Sequence, residues 1–389
     1  MGYNALYLGY NSTYVNQQKN IILSVLKATT NLTIYGPGYN SKKELEMGIN
    51  SWSNKHQKFE ILVLDPGILS HDENTLSKKY YKEYFRRQVN DYLHFNSDEI
   101  VDYGKSYKDF FQSFKGKKFT FVTWDPYDTP RSLIEDLKTS DTFVIDIFGE
   151  QLNSPINELK LTESDLNYFK GKISNNWIDF ERDYRHKIIS FPHAIYESQF
   201  VDIPLKDRKI NFSIIGVLYP ERKDVIKHLS FAVKLSLILK IIFEYFILKF
   251  FKKATFKNIK KRIFDYQNLI EKSRFCFVSG SKLRYPVRKY FEVPSKGTIP
   301  IGWRCNGFTN LGFKDGENFL VAENSETVSK YLSLNNSEKL NQIAKNAQQL
   351  IFQKHSYYAR IKQFSESLKL IMEGKFSGSY WEEGLYKHY

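Results

Sequence analysis

Cysteine is scarce: Cys276 and Cys305 are the only two among 389 residues. Two thiols cannot staple a loop-rich scaffold, which excludes a disulfide framework and fits a reducing compartment. Cys276 sits in an apolar run and reads as a small core residue rather than a nucleophile. No stretch of about 18 uncharged apolar residues occurs, as a membrane-spanning helix requires. The nearest approach, Val225–Phe251, carries Lys227, Lys234, Lys240, Glu244 and Lys249, and so reads as a long amphipathic helix. The opening Met1-Gly2-Tyr3-Asn4 lacks a basic stretch leading into an apolar one, so no secretory leader is expected and a cytoplasmic setting follows. There is no compact Lys/Arg block, no short-period repeat and no low-complexity tract.

What is present points to a folded chain of more than one core. The length suits two domains, and a hydrophobic share of 42% is enough to fill their interiors. The 31 Phe and 27 Tyr accompany many Lys, Ile and Asn residues, a bias expected of an AT-rich genome, so the aromatic count says little about function. The net charge of +14 attracts nucleic acid, anionic headgroups and phosphorylated small molecules through the same field. Because the charge is spread along the chain, nucleic acid is not the expected partner.

Short apolar runs alternate with helix-like stretches throughout. Strands are predicted at Ala5–Gly9, Leu32–Tyr35, Glu60–Leu64, Phe119–Thr123, Thr142–Ile147 and Lys187–Phe191. A second series follows the polar connector Asp202–Lys209, with strands at Asn211–Gly216, Phe275–Ser279, Thr298–Ile301 and Asn318–Val321. Helices are predicted at Pro286–Lys296, Glu338–Gln353 and Tyr357–Met372. Strands separated by helices imply parallel sheets, whose ligands sit beyond the carboxyl ends of the strands. The expected division is 1–200, 201–365 and a tail, 366–389, that packs back toward the first domain.

The most informative segment runs from Ser279-Gly280-Ser281 through Lys282, Arg284, Pro286, Arg288 and Glu292 to Gly297. An apolar strand ends in Ser-Gly-Ser, and a helix is expected to open at Pro286, where a missing N–H costs little. Amides at such a start hold phosphate, with Lys282, Arg284 and Arg288 adding charge. Glu292, four residues beyond Arg288, shares its helix face and can accept both hydroxyl hydrogens of a ribose. From the spacing alone, an ordinary surface ion pair is the favoured reading of the two.

Arg288-Lys289-Tyr290-Phe291-Glu292-Val293-Pro294-Ser295-Lys296-Gly297 resembles the donor-site helix of GT-B glycosyltransferases, most nearly the spore-maturation-protein-like (CgeB-type) group. The likeness continues at Gly312–Phe319 and His355–Arg360. Upstream, Phe191-Pro192-His193-Ala194 is similar to that family's interdomain crossing, and Ile214-Ile215-Gly216 with Arg222 to the first strand and loop of its donor domain. It spans roughly residues 187–365.

The resemblance implies a GT-B α/β fold: two Rossmann-like domains facing each other across a cleft, with a C-terminal helix crossing back to the first. It implies a metal-independent transferase of polysaccharide biosynthesis, with a nucleotide sugar as co-substrate rather than a resident cofactor, and a glycan or glycolipid acceptor. Glu292 would hold the donor ribose. Arg222, less certainly Lys223, would face the diphosphate, near Gly216. Many retaining members carry a second glutamate eight residues earlier, where this chain has Arg284, so retention and inversion both stay open. A base is still needed to take the acceptor's proton. Asp125 and Asp128 of Trp124-Asp125-Pro126-Tyr127-Asp128 are the first candidates, then Asp65 and Glu150, though each is equally a turn or cap acid. No metal ligands are expected. His193 is either a cleft residue or a structural one.

Lys227, Lys234, Lys249 and Lys252 fall within about 80° of one another on a helical wheel. Either this helix packs on the donor-domain sheet with a solvated lysine stripe, or it docks on anionic membrane at the inner face. A noncatalytic glycan- or nucleotide-binding protein of the same fold is the alternative to an enzyme.

Overall fold

The computed structural model describes residues 2–11, 17–56, 58–66, 97–122, 131–147, 176–215, 220–227, 266–280, 284–322, 324–334 and 337–389. Asp125, Asp128, Glu150, Gly216, Lys282 and all but the first three residues of Val225–Phe251 lie outside them.

Strands β1 (Asn4–Leu8), β2 (Asn31–Tyr35), β3 (Ile61–Leu64), β4 (Lys117–Val122), β5 (Thr142–Asp146) and β6 (Ile188–Ser190) form one sheet in the order β2-β1-β3-β4-β5-β6. Every pairing in it is parallel. The apolar runs are continuous because both faces are covered. Ala5, Tyr7, Ile61, Val63, Phe119 and Phe121 point into one core with Ile21, Ile22, Val25 and Leu26 of α1 (Gln17–Thr29). Leu6, Leu8, Leu62 and Leu64 point into the other, with Tyr107 and Phe111 of α2 (Ser97–Ser113). Leu6 pairs with Leu62 and Tyr7 with Val63, a register that keeps each face in phase. Helices α3 (Arg131–Thr139) and α4 (Asn176–Asp183) pack on one another beside β5 and β6. Lys187 closes the end of α3 by donating to the carbonyls of Leu137, Lys138 and Ser140, where a cation meets the negative helix end.

The second sheet is β7 (Ile210–Ile214), β8 (Ser273–Val278), β9 (Ile299–Gly302) and β10 (Leu320–Val321), ordered β10-β9-β8-β7 and parallel at each pairing. Phe275, Phe277, Ile299 and Ile301 fill one face. Cys276 and Val278 face the other, against Tyr290, Phe291 and Val293. Around it lie α5 (Pro220–Lys227), α6 (Lys289–Ser295), α7 (Ser325–Leu332) and α8 (Ser337–Lys354). A Cβ on Gly302 would stand 1.9 Å from the Val278 carbonyl oxygen, so only glycine lets β9 run this close to β8.

Arg208, in the connector before β7, holds the base of this sheet. Its guanidinium donates to the carbonyls of Ile203, Glu271, Ser273 and Lys296 and to Thr298 Oγ1. One side chain thereby ties the connector to the starts of β8 and β9.

The chain then returns to the first sheet. Helix α9 (Tyr357–Met372), capped by Ser356, packs along α1 and sends Phe364, Leu368 and Ile371 into the first sheet's core. Beyond it the sequence reading expected only a tail, but the last residues form an antiparallel hairpin, β11 (Ser379–Glu382) and β12 (Leu385–His388). Glu383 (φ 49°) and Gly384 (φ 77°) make its two-residue turn in the left-handed region that hairpin twist favours. Ser379 Oγ accepts from the Ser190 amide at the end of β6, while Trp381 is buried in the second sheet's core.

Candidate functional site

The carboxyl ends of both sheets are where a ligand is expected. In the first, strand order reverses between β1 and β3, and the residues just beyond them are Gly9-Tyr10 and Asp65. Lys19, from the first turns of α1, forms a buried ion pair with Asp65 and donates to the Tyr10 carbonyl at 2.8 Å. Tyr7 Oη donates to Asp65 Oδ2 at 2.9 Å. Asp65 and Lys19 are each only 2% exposed. Asp65 is thus committed to a lysine and a phenol. That engagement suits a brace under the β1–α1 loop better than the proton-accepting role expected of it.

In the second sheet, β8 ends at Val278 and Ser279-Gly280 turn outward. A Cβ on Gly280 would meet the Tyr285 carbonyl oxygen at 2.2 Å. The Tyr285 amide donates to Gly280 O and the Asn306 amide to Arg284 O, which closes the loop tightly. Arg284 takes φ 55°, a strained conformation for a side chain other than glycine, and its guanidinium lies 5.2 Å over the Trp303 ring. This closure corrects the expected helix start. Residues 285–287 remain non-helical, and α6 begins at Lys289, with Arg288 as its cap residue. Pro286 is therefore not a first-turn proline, and the helix start expected there lies instead at Lys289. Charge at this site comes from side chains.

Arg288 and Glu292 do meet. Glu292 is 4% exposed, and its Oε1 lies 3.4 Å from Arg288 Nε. Those atoms are close enough to attract but outside hydrogen-bond geometry, and among the described residues nothing accepts from Arg288 Nε or Nη1. Arg288 Nη2 reaches Gln199 Oε1 at 3.5 Å, on the crossing between the sheets. Glu292 Oε2 accepts from Tyr266 Oη at 2.8 Å. Burial, with the Glu292 charge beside it, pushes the Tyr266 phenol well above its ordinary pKa and keeps it a donor. The surface ion pair that spacing alone allowed is thus a buried carboxylate with two unequal partners.

Arg222, on the first turns of α5, is 4% exposed, and its charge is felt at Cys276 and Tyr290 of the same core. Lys223 beside it is exposed. Lys289 donates to the Ile215 carbonyl and ties α6 to the end of β7. His193 is buried on the crossing, its Nδ1 3.1 Å from Gln18 Oε1 and its ring 6.0 Å from that of Phe291. Burial, then the charges of Arg288 and Arg360, lower its pKa to about 3, so it is a neutral imidazole joining α1 to α6. Behind it, fully buried Arg360 lies between the rings of Phe191 and Trp381, at 5.3 and 5.2 Å. Cys276 and Cys305 are buried, and burial raises both thiols, Cys276 to about 11.

The sequence reading missed Tyr266 and Gln199. Tyr266 stands 26 residues before Glu292, and only the packing of 266–271 and α6 on one face of β8 brings them together. Among the described residues no three His, Cys, Asp or Glu side chains gather as metal ligands, and no helix is long and apolar enough to cross a membrane.

Residues 202–366 match the family model described as glycosyl transferase-like. No curated protein matches the chain in sequence. Similar solved structures include Anabaena HepE in complex with UDP and glucose, at 9% identity and TM-score 0.49, covering 94% of this chain and 99% of that one. A glycosyltransferase from Rickettsia africae ESF-5 is also similar, at 9% identity and TM-score 0.49, covering 96% of this chain and 99% of that one. Two parallel, helix-covered sheets joined by one crossing, with a C-terminal helix returning to the first, make the GT-B architecture.

Proposed function

We propose that this protein is a glycosyltransferase that moves a sugar from a nucleotide-activated donor to a hydroxyl of a glycan or lipid-linked acceptor. The observation that carries this is Glu292: a carboxylate buried on α6 beside the carboxyl end of β8, flanked by Arg288, within the glycosyl transferase-like segment.

A carboxylate accepts two vicinal hydroxyls with the geometry of a ribose diol, so Glu292 holds the nucleoside. Arg222, Arg288 and Arg284, with Lys282, supply positive charge to the diphosphate. In the reaction the acceptor oxygen forms a bond to the anomeric carbon as that carbon's bond to the diphosphate oxygen breaks. The electron pair leaves with the nucleoside diphosphate, and the acceptor's proton passes to a carboxylate. Asp125 and Asp128, following β4, are assigned that last role from the sequence, ahead of Asp65. Positive charge fixed in a water-poor cleft stabilises the departing diphosphate without reorganising, so no resident cofactor is required. Read from the sequence as one helix face, Lys227, Lys234, Lys249 and Lys252 would seat the protein on anionic membrane, where a lipid-linked acceptor would be met.

The test is a thermal-shift panel of UDP, GDP, CMP and their sugars against the wild type and Glu292→Ala. A ligand at 100 times its Kd stabilises by about 2.7 kcal/mol. One nucleotide class should raise the wild-type Tm, and Glu292→Ala should lose both that shift and sugar transfer while staying folded. No shift from any nucleotide would favour a noncatalytic protein.

A further inference from the structure

Glu292 has two neighbours of opposite tendency. Arg288 offers its Nε–Nη2 edge, on which Nε–H finds no acceptor among the described residues and Nη2 makes a long contact of 3.5 Å to Gln199 Oε1. A carboxylate 3.4 Å away would ordinarily turn to meet that edge in a two-pronged pair, the strongest contact open to both groups. It has not done so. Its other oxygen is held by Tyr266 at 2.8 Å. Tyr266 reaches Glu292 from the helical residues 266–271 that lead into β8, whereas Arg288 and Glu292 both ride on the α6 segment that leaves it.

We infer that Tyr266 is a positioning residue, whose phenol holds the Glu292 carboxylate open to the donor's vicinal hydroxyls and out of a closed pair with Arg288. The inference rests on the reading of Glu292 as the ribose ligand. An ionised carboxylate has about four lone-pair directions. Tyr266 uses one, and the long approach of Arg288 leaves the Oε1 side uncommitted. Without the phenol, rotation about the Glu292 side chain lets both oxygens face the Nε–Nη2 edge. The lone pairs a ribose needs are then already taken. Loss of one hydroxyl at Tyr266 is thereby read out at a different place, as poorer recognition of the sugar's diol.

Isothermal titration of UDP, GDP and CMP, each beside its 2′-deoxy form, into the wild type, Tyr266→Phe and Glu292→Ala tests this. For the nucleotide that binds, the wild type should prefer the ribose form by about tenfold, the worth of one hydrogen bond to a charged group. Tyr266→Phe should weaken the ribose form by a similar factor and leave the deoxy form within about twofold, so the preference collapses. The preference is a ratio taken within each variant, so a change in the amount of folded protein does not move it. If Glu292→Ala loses the preference while Tyr266→Phe keeps wild-type affinity and preference, the positioning role is refuted and the ribose site stands. Equal weakening of ribose and deoxy forms by Tyr266→Phe refutes it too, because that marks general packing. If Glu292→Ala keeps the wild-type preference, or the wild type binds none of the three nucleotides, the ribose reading fails and takes the role of Tyr266 with it.

Discussion

Replacing Arg208 by methionine keeps the length and much of the apolar stem of the side chain while deleting every donor. The structure assigns that guanidinium six contacts, to the carbonyls of Ile203, Glu271, Ser273 and Lys296 and to Thr298 Oγ1, at 2.6 to 3.1 Å. Some acceptors retain partners: Thr298 Oγ1 also donates to Ser273 O at 3.2 Å and to Ile270 O at 2.7 Å. Ile203 O and Lys296 O have no other side-chain donor among the hydrogen bonds of the described residues. Leaving the buried Lys296 carbonyl unmet costs about 1–3 kcal/mol and the half-buried Ile203 carbonyl less, and the charge-assisted character of the lost bonds adds to this. Burial offsets part of it, because desolvation already lowers the Arg208 pKa to about 10. The expected net loss is about 3–5 kcal/mol, or roughly 6–20 °C in the melting of a unit of 150–250 residues. Differential scanning calorimetry reads this directly. Arg208→Lys, with one ammonium in place of a five-donor fork, should fall between the two. A drop below about 2 °C for Arg208→Met would refute the assignment of Arg208 as the clamp at the base of the second sheet.

Two further outcomes follow from the crossing and the hairpin. His193 and His355 are both buried, with pKa lowered to about 3, by burial first and then by nearby arginines. Their folded values lie below the unfolded value of about 6.5, so their contribution is fully present above that pH and is lost as pH falls toward 3. Each should remove about 2 kcal/mol of stability between pH 6.5 and 5, which urea melts across that window can follow. His355→Gln should flatten the slope, since His355 Nε2 meets Leu311 O at 2.8 Å and Nδ1 meets Arg360 Nη2 at 3.3 Å, an arrangement only the neutral ring can make. An unchanged slope in that variant would show that other groups set the acid limit. Trp381→Ala should cost about 3–5 kcal/mol, because the indole is 1% exposed against His355 and Arg360. Chemical denaturation that left its midpoint unmoved would mean the hairpin contributes nothing to the second core.

Much of the fold was legible because strand and turn signals are local. Each of the ten predicted strands has a counterpart displaced by at most about two residues at either end, since a parallel sheet covered on both faces needs compact apolar runs and these stand out between polar helices. The segment around Arg288 and Glu292 was found for the same reason: its spacing is a property of one helix. The closing hairpin was passed over although Trp381-Glu382-Glu383-Gly384-Leu385 ends in a Gly-containing turn, because its strands are short and weakly alternating. The start of α6 was misplaced because Pro286 satisfies a first-turn rule, while a contact with Gly280 and a strained Arg284 hold the chain out of the helix.

The sequence by itself determined the parallel α/β organisation, the second sheet's donor-like segment and the candidate carboxylate Glu292, all of which depend on residues close together in the chain. Only the tertiary structure decided what those residues touch. Tyr266 reaches Glu292 across β8, Lys19 occupies Asp65 across the first sheet's switch point, and Arg208 collects acceptors from three separate segments. Buried polar groups must find partners wherever packing places them, and in a folded chain that place is rarely nearby in sequence.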